Sequence, residues 1–435
     1  SIRMGGSSSK YPPSQQVSIT GGKIVGRRFF HDGERPVDAY QGIPFAKPPV
    51  GELRFRKTEE CDEWEGVKEC IAFGNRGMQT SSIYDKWKHG PVSEDCLYLN
   101  VFAPGWKPPS SNGFPVMVFI HGGAFVSDST VKYGDTLISQ YLVRKDVIVV
   151  TTQYRLGFLG FWSTGDSSCV DNLGLWDQTA ALRWVQSNIE SFGGDKSNVT
   201  ILGQSAGGAS TDLLSLSPES RDLFHKVIPM AGNASADWAT QDNAVEKCRE
   251  WAMEKMKIDD GGNSDQFISK LRMENANKFA TSMIVKPREN VKDGIQIGPR
   301  IDGIFFPKPL CELRKEAGTK PRMVGCCQYE GLMFMMGSRV KKERSSFETV
   351  IASLIPESVP EFKRKRDQML EEYLKDEDMT KGLVEMYSDL FLNIACQQSV
   401  LDWLDVGQEH IYLYSFNFFN EKEWGPLGYL MPIKG

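Results

Sequence analysis
The sequence predicts an α/β protein with a largely parallel central sheet, helices on both of its faces and additional helical insertions. Three observations carry that prediction. Apolar, β-branched runs recur at 115–123 (PVMVFIHGG), 146–155 (DVIVVTTQYR), 197–205 (SNVTILGQS) and 225–232 (HKVIPMAG), each closing on small or polar residues. Helical patterns separate them, and strands alternating with helices imply a parallel sheet covered on both sides. The chain of 435 residues, 40% of them hydrophobic, is also long enough to bury one large core of this kind.

In chain order, residues 1–16 (SIRMGGSSSKYPPSQQ) have no apolar periodicity and are expected to be a flexible arm, with one domain over 17–435. The arm shows no apolar secretory core, so a cytoplasmic location is expected. Met4-Gly5-Gly6-Ser7-Ser8-Ser9 fits an acylation pattern if Met4 is an initiator, which makes N-myristoylation at Gly5 the one expected route to a membrane. Short strands and turns follow from Val17, punctuated by Pro44, Pro48 and Pro49. The 177–192 segment (DQTAALRWVQSNIESF) places Ala180, Leu182, Val185 and Ile189 on one helical stripe, and a further helix is expected to begin near Ala206. Residues 243–283 read as charged helix, 321–331 (PRMVGCCQYEG) as a strand, 345–406 as a second helical block and 410–419 (HIYLYSFNFF) as a late strand.

Composition removes several functions. A net charge of −5 offers no basic field for nucleic acid. The longest apolar runs are far below the roughly 18 residues of a spanning helix. The nine cysteines form no C-x-x-C pair and no zinc spacing, HExxH is absent, and neither a metal nor a cofactor is expected.

The chemistry concentrates in Gly203-Gln204-Ser205-Ala206-Gly207, a G-x-S-x-G match at a strand-to-helix junction that would expose Ser205 as a nucleophile. Some eighty residues earlier, His121-Gly122-Gly123-Ala124-Phe125 closes another buried strand. Its small residues let backbone N–H groups approach a substrate oxygen, so Gly123, Ala124 and Ala206 are the expected oxyanion donors.

With these motifs in place, the sequence resembles the type-B carboxylesterase and cholinesterase family. The resemblance rests on YQGIPFAKPPVGELRFR (40–56), SEDCLYLNVFAP (93–104), FIHGGAF, QYRLGFLGF (153–161), the 172–208 stretch and GPRIDGIFFP (298–307), in family order. It implies an α/β-hydrolase fold and cleavage of a small-molecule carboxylic ester through an acyl-serine at Ser205. It implies further that Glu330, in GCCQYEG, is the acid of the triad, and that Arg54 and Glu94 form a structural salt bridge. Gln204 stands where cholinesterases have glutamate, which favours a general carboxylesterase. Trp87 falls in the loop where cholinesterases stack choline, although this loop is shorter. Gly77 replaces the cysteine that secreted members pair with the equivalent of Cys96. Asn233 stands where many relatives have serine near the acid.

The triad order Ser, acid, His requires a histidine after Glu330, and only His410 follows it, at a position the family does not use for catalysis. Two readings stay open: an incomplete copy of a longer esterase, whose histidine would lie just beyond Gly435, or a non-catalytic relative acting as a binding or adhesion module. The intact elbow, loop and Glu330 favour the first. A polypeptide of these 435 residues is then expected to be nearly inactive.

Overall fold
A computed structural model of the chain describes residues 11–31, 35–282, 295–335, 343–375 and 378–418. Nine strands form the main sheet: β1 (Arg27–His31), β2 (Arg35–Pro44), β3 (Tyr98–Pro104), β4 (Phe114–Ile120), β5 (Ile148–Thr152), β6 (Gly194–Gln204), β7 (Lys226–Met230), β8 (Arg322–Cys327) and β9 (Ile411–Phe416). Their order is β9-β8-β7-β6-β4-β5-β3-β2-β1. Pairing is parallel from β9 through β5 and antiparallel from β5 to β1. The four runs read from sequence supply β4 to β7, at the centre. All five residues of β5 are buried, the pattern of a strand covered on both faces.

The chain steps from β4 to β5 on one side, then crosses back to place β6 on the other side of β4. Loops leaving β4 and β6 therefore diverge to opposite faces, and the carboxyl ends of these strands open a crevice between them. Ser205 follows β6 and the 121–125 loop follows β4.

Three helices matter most for the site: α1 (Leu173–Asn188), α2 (Ala206–Leu216) and α3 (Ile394–Leu404). The α1 helix begins four residues earlier than its apolar stripe suggests. Asn172 explains this, because its side chain donates to the Arg300 carbonyl and accepts from the Arg300 N–H, both at 2.9 Å. Its left-handed backbone then turns the chain into the helix. Leu182, Val185 and Ile189 are buried as expected, but so are Asp177, Gln178 and Thr179. Arg155 makes this possible by holding the Asp177 carboxylate through two bonds of 2.8 Å.

Helices at 244–256 and 264–272 fill the connection from β7 to β8, and those from 344 to 404 the connection from β8 to β9. One hydrophobic core cluster runs from Val17 to Trp403. No helix among the described residues is long and apolar enough to cross a membrane.

The expected flexible arm needs correction. Residues 11–16 are tied down: Arg28 N–H donates to Pro12 O at 2.8 Å, Ser14 Oγ accepts from Gly26 N–H at 2.7 Å, Tyr40 Oη donates to Gln15 O at 2.7 Å, and the Tyr11 ring packs on Phe29 at 4.6 Å. Backbone bonds together with the Ser14, Tyr40 and Tyr11 side chains supply this order. Gly5 lies outside the described residues.

Candidate active site
The turn that follows β6 is held by close backbone contact. A Cβ at Gly203 would fall 2.3 Å from Gly207 O, and one at Gly207 would fall 2.1 Å from Ile120 O, so both positions exclude any side chain. Between them Ser205 adopts φ 58°, ψ −124°, a strained conformation for a residue with a Cβ. It is fixed there by its N–H donating to Met230 O at 2.8 Å and its carbonyl accepting from Ala209 N–H at 2.9 Å. The hydroxyl has no hydrogen-bond partner among the described residues and stands at the N-terminus of α2.

The 121–125 loop lies directly against this turn. A Cβ on Gly122 would sit 2.5 Å from Gln204 O and 3.2 Å from Ser205 Cβ. Gly123, Ala124 and Phe125 all have positive φ, at 90°, 55° and 61°. The carbonyl of Gly123 accepts from Val126 and Ser127, each at 3.0 Å. By contrast, the N–H groups of Gly123, Ala124 and Ala206 meet no acceptor among the described residues.

Three supports hold the loop, none of them assigned from sequence. Tyr154 Oη donates to His121 O at 2.9 Å. Gly157 N–H donates to Phe125 O at 2.8 Å. Gln79 and Asp128 exchange two bonds, at 2.8 and 3.0 Å. Tyr154 belongs to the QYRLGFLGF stretch, and this was the one available signal.

Glu330 lies in the turn after β8, two strands along from β6 and at the same end of the sheet. Its Oε1 accepts from Cys327 N–H at 2.7 Å, and the adjacent Gly331 N–H donates to Ser388 Oγ at 2.8 Å. Burial raises its pKa above the ordinary carboxylate value, against the opposing Cys327 hydrogen bond. Asn233 is occupied elsewhere, accepting from Ser235 N–H at 2.9 Å and donating to Cys396 Sγ at 3.7 Å. Strand spacing puts the ends of β6 and β8 about 10 Å apart. One imidazole with a hydrogen bond at each end spans roughly 8 Å.

A raised carboxyl pKa opposes folding once the group ionises. Below the unfolded-state pKa both states are protonated and nothing is lost, whereas stability falls as pH rises from there through the folded pKa. Glu330→Gln keeps an oxygen for Cys327 N–H and removes this loss. It is therefore expected to unfold at higher urea than the parent at pH 7 and at the same urea near pH 3; a less stable variant at pH 7 would refute the assignment of buried strain to Glu330.

The histidines fall elsewhere. His121 is fully buried, stacked on Tyr154 at 4.5 Å, with Nδ1 donating to Gly122 O at 3.1 Å, and burial lowers its pKa. It builds the loop as a neutral ring. His225 Nδ1 accepts from Val199 N–H at 3.2 Å, towards the opposite end of β6. His89 closes a helix at 83–89, and His31 lies on β1, at the far edge of the sheet. His410 is exposed just before β9.

Arg54 and Glu94 form a two-bond ion pair at 2.6 and 2.7 Å, and the remaining Arg54 nitrogen donates to the carbonyls of Leu271, Arg272 and Glu274. Trp87 rides on the 83–89 helix with its ring largely open to solvent. Gly77 ends a short bridge beside Leu156, and Cys96 is buried as a free thiol. Among the described residues no group of His, Cys, Asp and Glu could hold a metal ion.

The family model described as "Carboxylesterase family" matches residues 13–434. The chain belongs to the carboxylesterase family. It is similar to Esterase cest-33 of Caenorhabditis elegans, with 39% identity over 99% of this chain and 80% of that protein. It is also 32% identical to mouse Carboxylesterase 1C, over 92% of this chain and 74% of that one, and 32% identical to the Juvenile hormone esterase of Tribolium castaneum, over 95% and 74%. As a carboxylesterase it has the α/β-hydrolase fold, and its chemistry is the hydrolysis of carboxylic esters.

Proposed function
We propose that this carboxylesterase cleaves its ester through an acyl-enzyme on Ser205. The observation that carries the reading is a serine in strained backbone geometry packed against the 121–125 loop, where a Cβ on Gly122 would come 3.2 Å from Ser205 Cβ. Ser205 Oγ attacks the ester carbonyl while an imidazole takes its proton. The oxyanion that forms accepts from Gly123, Ala124 and Ala206, donors already fixed by their own backbone. Glu330 holds the imidazole in one tautomer and stabilises its charged form. The alcohol leaves with the imidazole's proton, and water then releases the acid by the same route.

Among the described residues none of the five histidines is hydrogen-bonded to Ser205 or Glu330, so this reading assigns the imidazole to no residue there. Gln204 supports uncharged acyl and alcohol groups over choline esters. Buried free thiols at Cys96 and Cys248, the latter pushed up to about 12 by burial, support a reducing, cytoplasmic setting.

The test is covalent labelling of the protein from its source with a fluorophosphonate. A single adduct on Ser205, lost in Ser205→Ala, is the expected result. Labelling that persists in Ser205→Ala would remove Ser205 as nucleophile, and no labelling at all would favour a binding role.

A further inference from the structure
We propose that Cys326 and Cys396 are a peroxide-sensitive thiol pair that closes into an intramolecular disulfide, joining the end of β8 to the first turn of α3 beside the Glu330 turn. The packing of these elements places the pair. Arg322, Val324 and Cys326 share one face of β8 because side chains alternate along a strand. At one end of that face the Arg322 guanidinium stacks on Trp403, 3.4 Å from the ring centre. Cys396 is seven residues before Trp403, two turns along the same face of α3. Moving from Arg322 to Cys326 covers about 13 Å of strand, and from Trp403 back to Cys396 about 10 Å of helix. The two elements run antiparallel, so the second contact falls at the cysteines.

The local bonds agree. Cys396 Sγ lies 3.8 Å from Gly325 O, the residue before Cys326, and accepts from Asn233 at 3.7 Å. Cys326 Sγ donates to Asn393 Oδ1 at 3.1 Å, and Asn393 is held by Asp389 at 2.9 Å. Cys326 is partly open to solvent, whereas Cys396 is buried. The neighbouring Cys396 thiol lowers the pKa of Cys326 and is itself raised beside it, while burial and the charges of Glu330 and Asp389 act against the Cys326 thiolate. The exposed partner is thus the better nucleophile and the buried one its resolving thiol.

The oxidant is a peroxide. The Cys326 sulfur attacks one peroxide oxygen, the O–O bond breaks, and a sulfenic acid forms with release of water or an alcohol. Cys396 then attacks that sulfur; an S–S bond replaces the S–O bond, and the departing hydroxide leaves as water with the Cys396 proton. Cys327, on the other face of β8, points away from Cys396.

The whole chain is treated with hydrogen peroxide, free thiols are capped with iodoacetamide, and peptides are weighed. The expected product is a Cys326–Cys396 linked pair two hydrogens lighter than the separate peptides and restored by dithiothreitol, at a dose that leaves exposed Cys311 capped. Cys396→Ser should leave a Cys326 sulfenic acid that dimedone captures. Both thiols still capped at a dose that oxidises Cys311, or a link from Cys326 to Cys327 or to a second chain, would overturn the proposal. Because the readout is a covalent mass, it is independent of ester hydrolysis.

Discussion
Asp212→Ala is expected to destabilise the protein by about 3–5 kcal/mol, the range for breaking a buried ion pair from one side. Asp212 lies on α2, two turns beyond Ser205, and is fully buried. Its Oδ1 accepts from Arg322 on β8 at 2.8 Å and from Trp403 on α3 at 3.3 Å, and its Oδ2 accepts from Ala234 N–H at 2.9 Å. Arg322 also donates to Ser215 Oγ at 2.7 Å. Burial pulls the guanidinium down to about 10 even with Asp212 beside it, so it remains charged at neutral pH. Alanine would leave that charge unpaired inside the core.

The double variant Asp212→Leu with Arg322→Met removes both charges and should recover most of the loss, because paired removal leaves no uncompensated ion. Urea unfolding of the single and double variants checks this. A single-variant effect below about 1 kcal/mol would show that the network is solvated rather than buried. Its placement matters for the site, since it locks the helix behind Ser205 to the strand that leads to Glu330.

Gly207→Ala is expected to cost about 3 kcal/mol, the upper end of overpacking, and to slow fluorophosphonate labelling of Ser205. The new methyl would stand 2.1 Å from Ile120 O and 2.8 Å from His121 O. Both are backbone atoms, so no side chain can rotate aside, and relief requires parting β4 from α2. That movement separates Ser205 from the loop carrying Gly123 and Ala124. Gly193→Ala is the control: its backbone is left-handed at φ 82°, ψ 15° and a new Cβ meets only ordinary contact with Phe114 at 3.8 Å, so only the left-handed penalty of about 1 kcal/mol applies. Equal effects from the two substitutions, read by thermal unfolding and labelling rate, would discard the close-contact account of the turn.

The central strands were legible from their β-branched runs: 146–155 supplies β5, buried at all five positions as a strand covered on both faces is, and 115–123 and 197–205 supply β4 and β6, whose burial alternates. The antiparallel strands were harder to read. They are short, half-polar and interrupted by prolines, and β1 with the tied-down residues 11–16 depends on backbone bonds and on long-range side-chain contacts such as Tyr40 Oη to Gln15 O and Tyr11 on Phe29. The start of α1 was misplaced for a related reason. Asn172 caps nothing within its own helix; its partner is Arg300, 128 residues away.

By itself, the sequence determined the close packing of the turn, since glycines at 203 and 207 leave space that no side chain could share with the neighbouring backbone. It also determined the family, through motifs spread along the chain. Only the tertiary structure decided which groups hold those pieces in register: Tyr154, Gln79 and Asp128 beneath the loop, Asp212 and Arg322 between the helix and the strand, and the meeting of Cys326 with Cys396. These residues are far apart in sequence and ordinary in type. Their roles come from desolvation, which makes a partner obligatory for every buried polar group. Which partner it finds depends on how the helices cross the sheet.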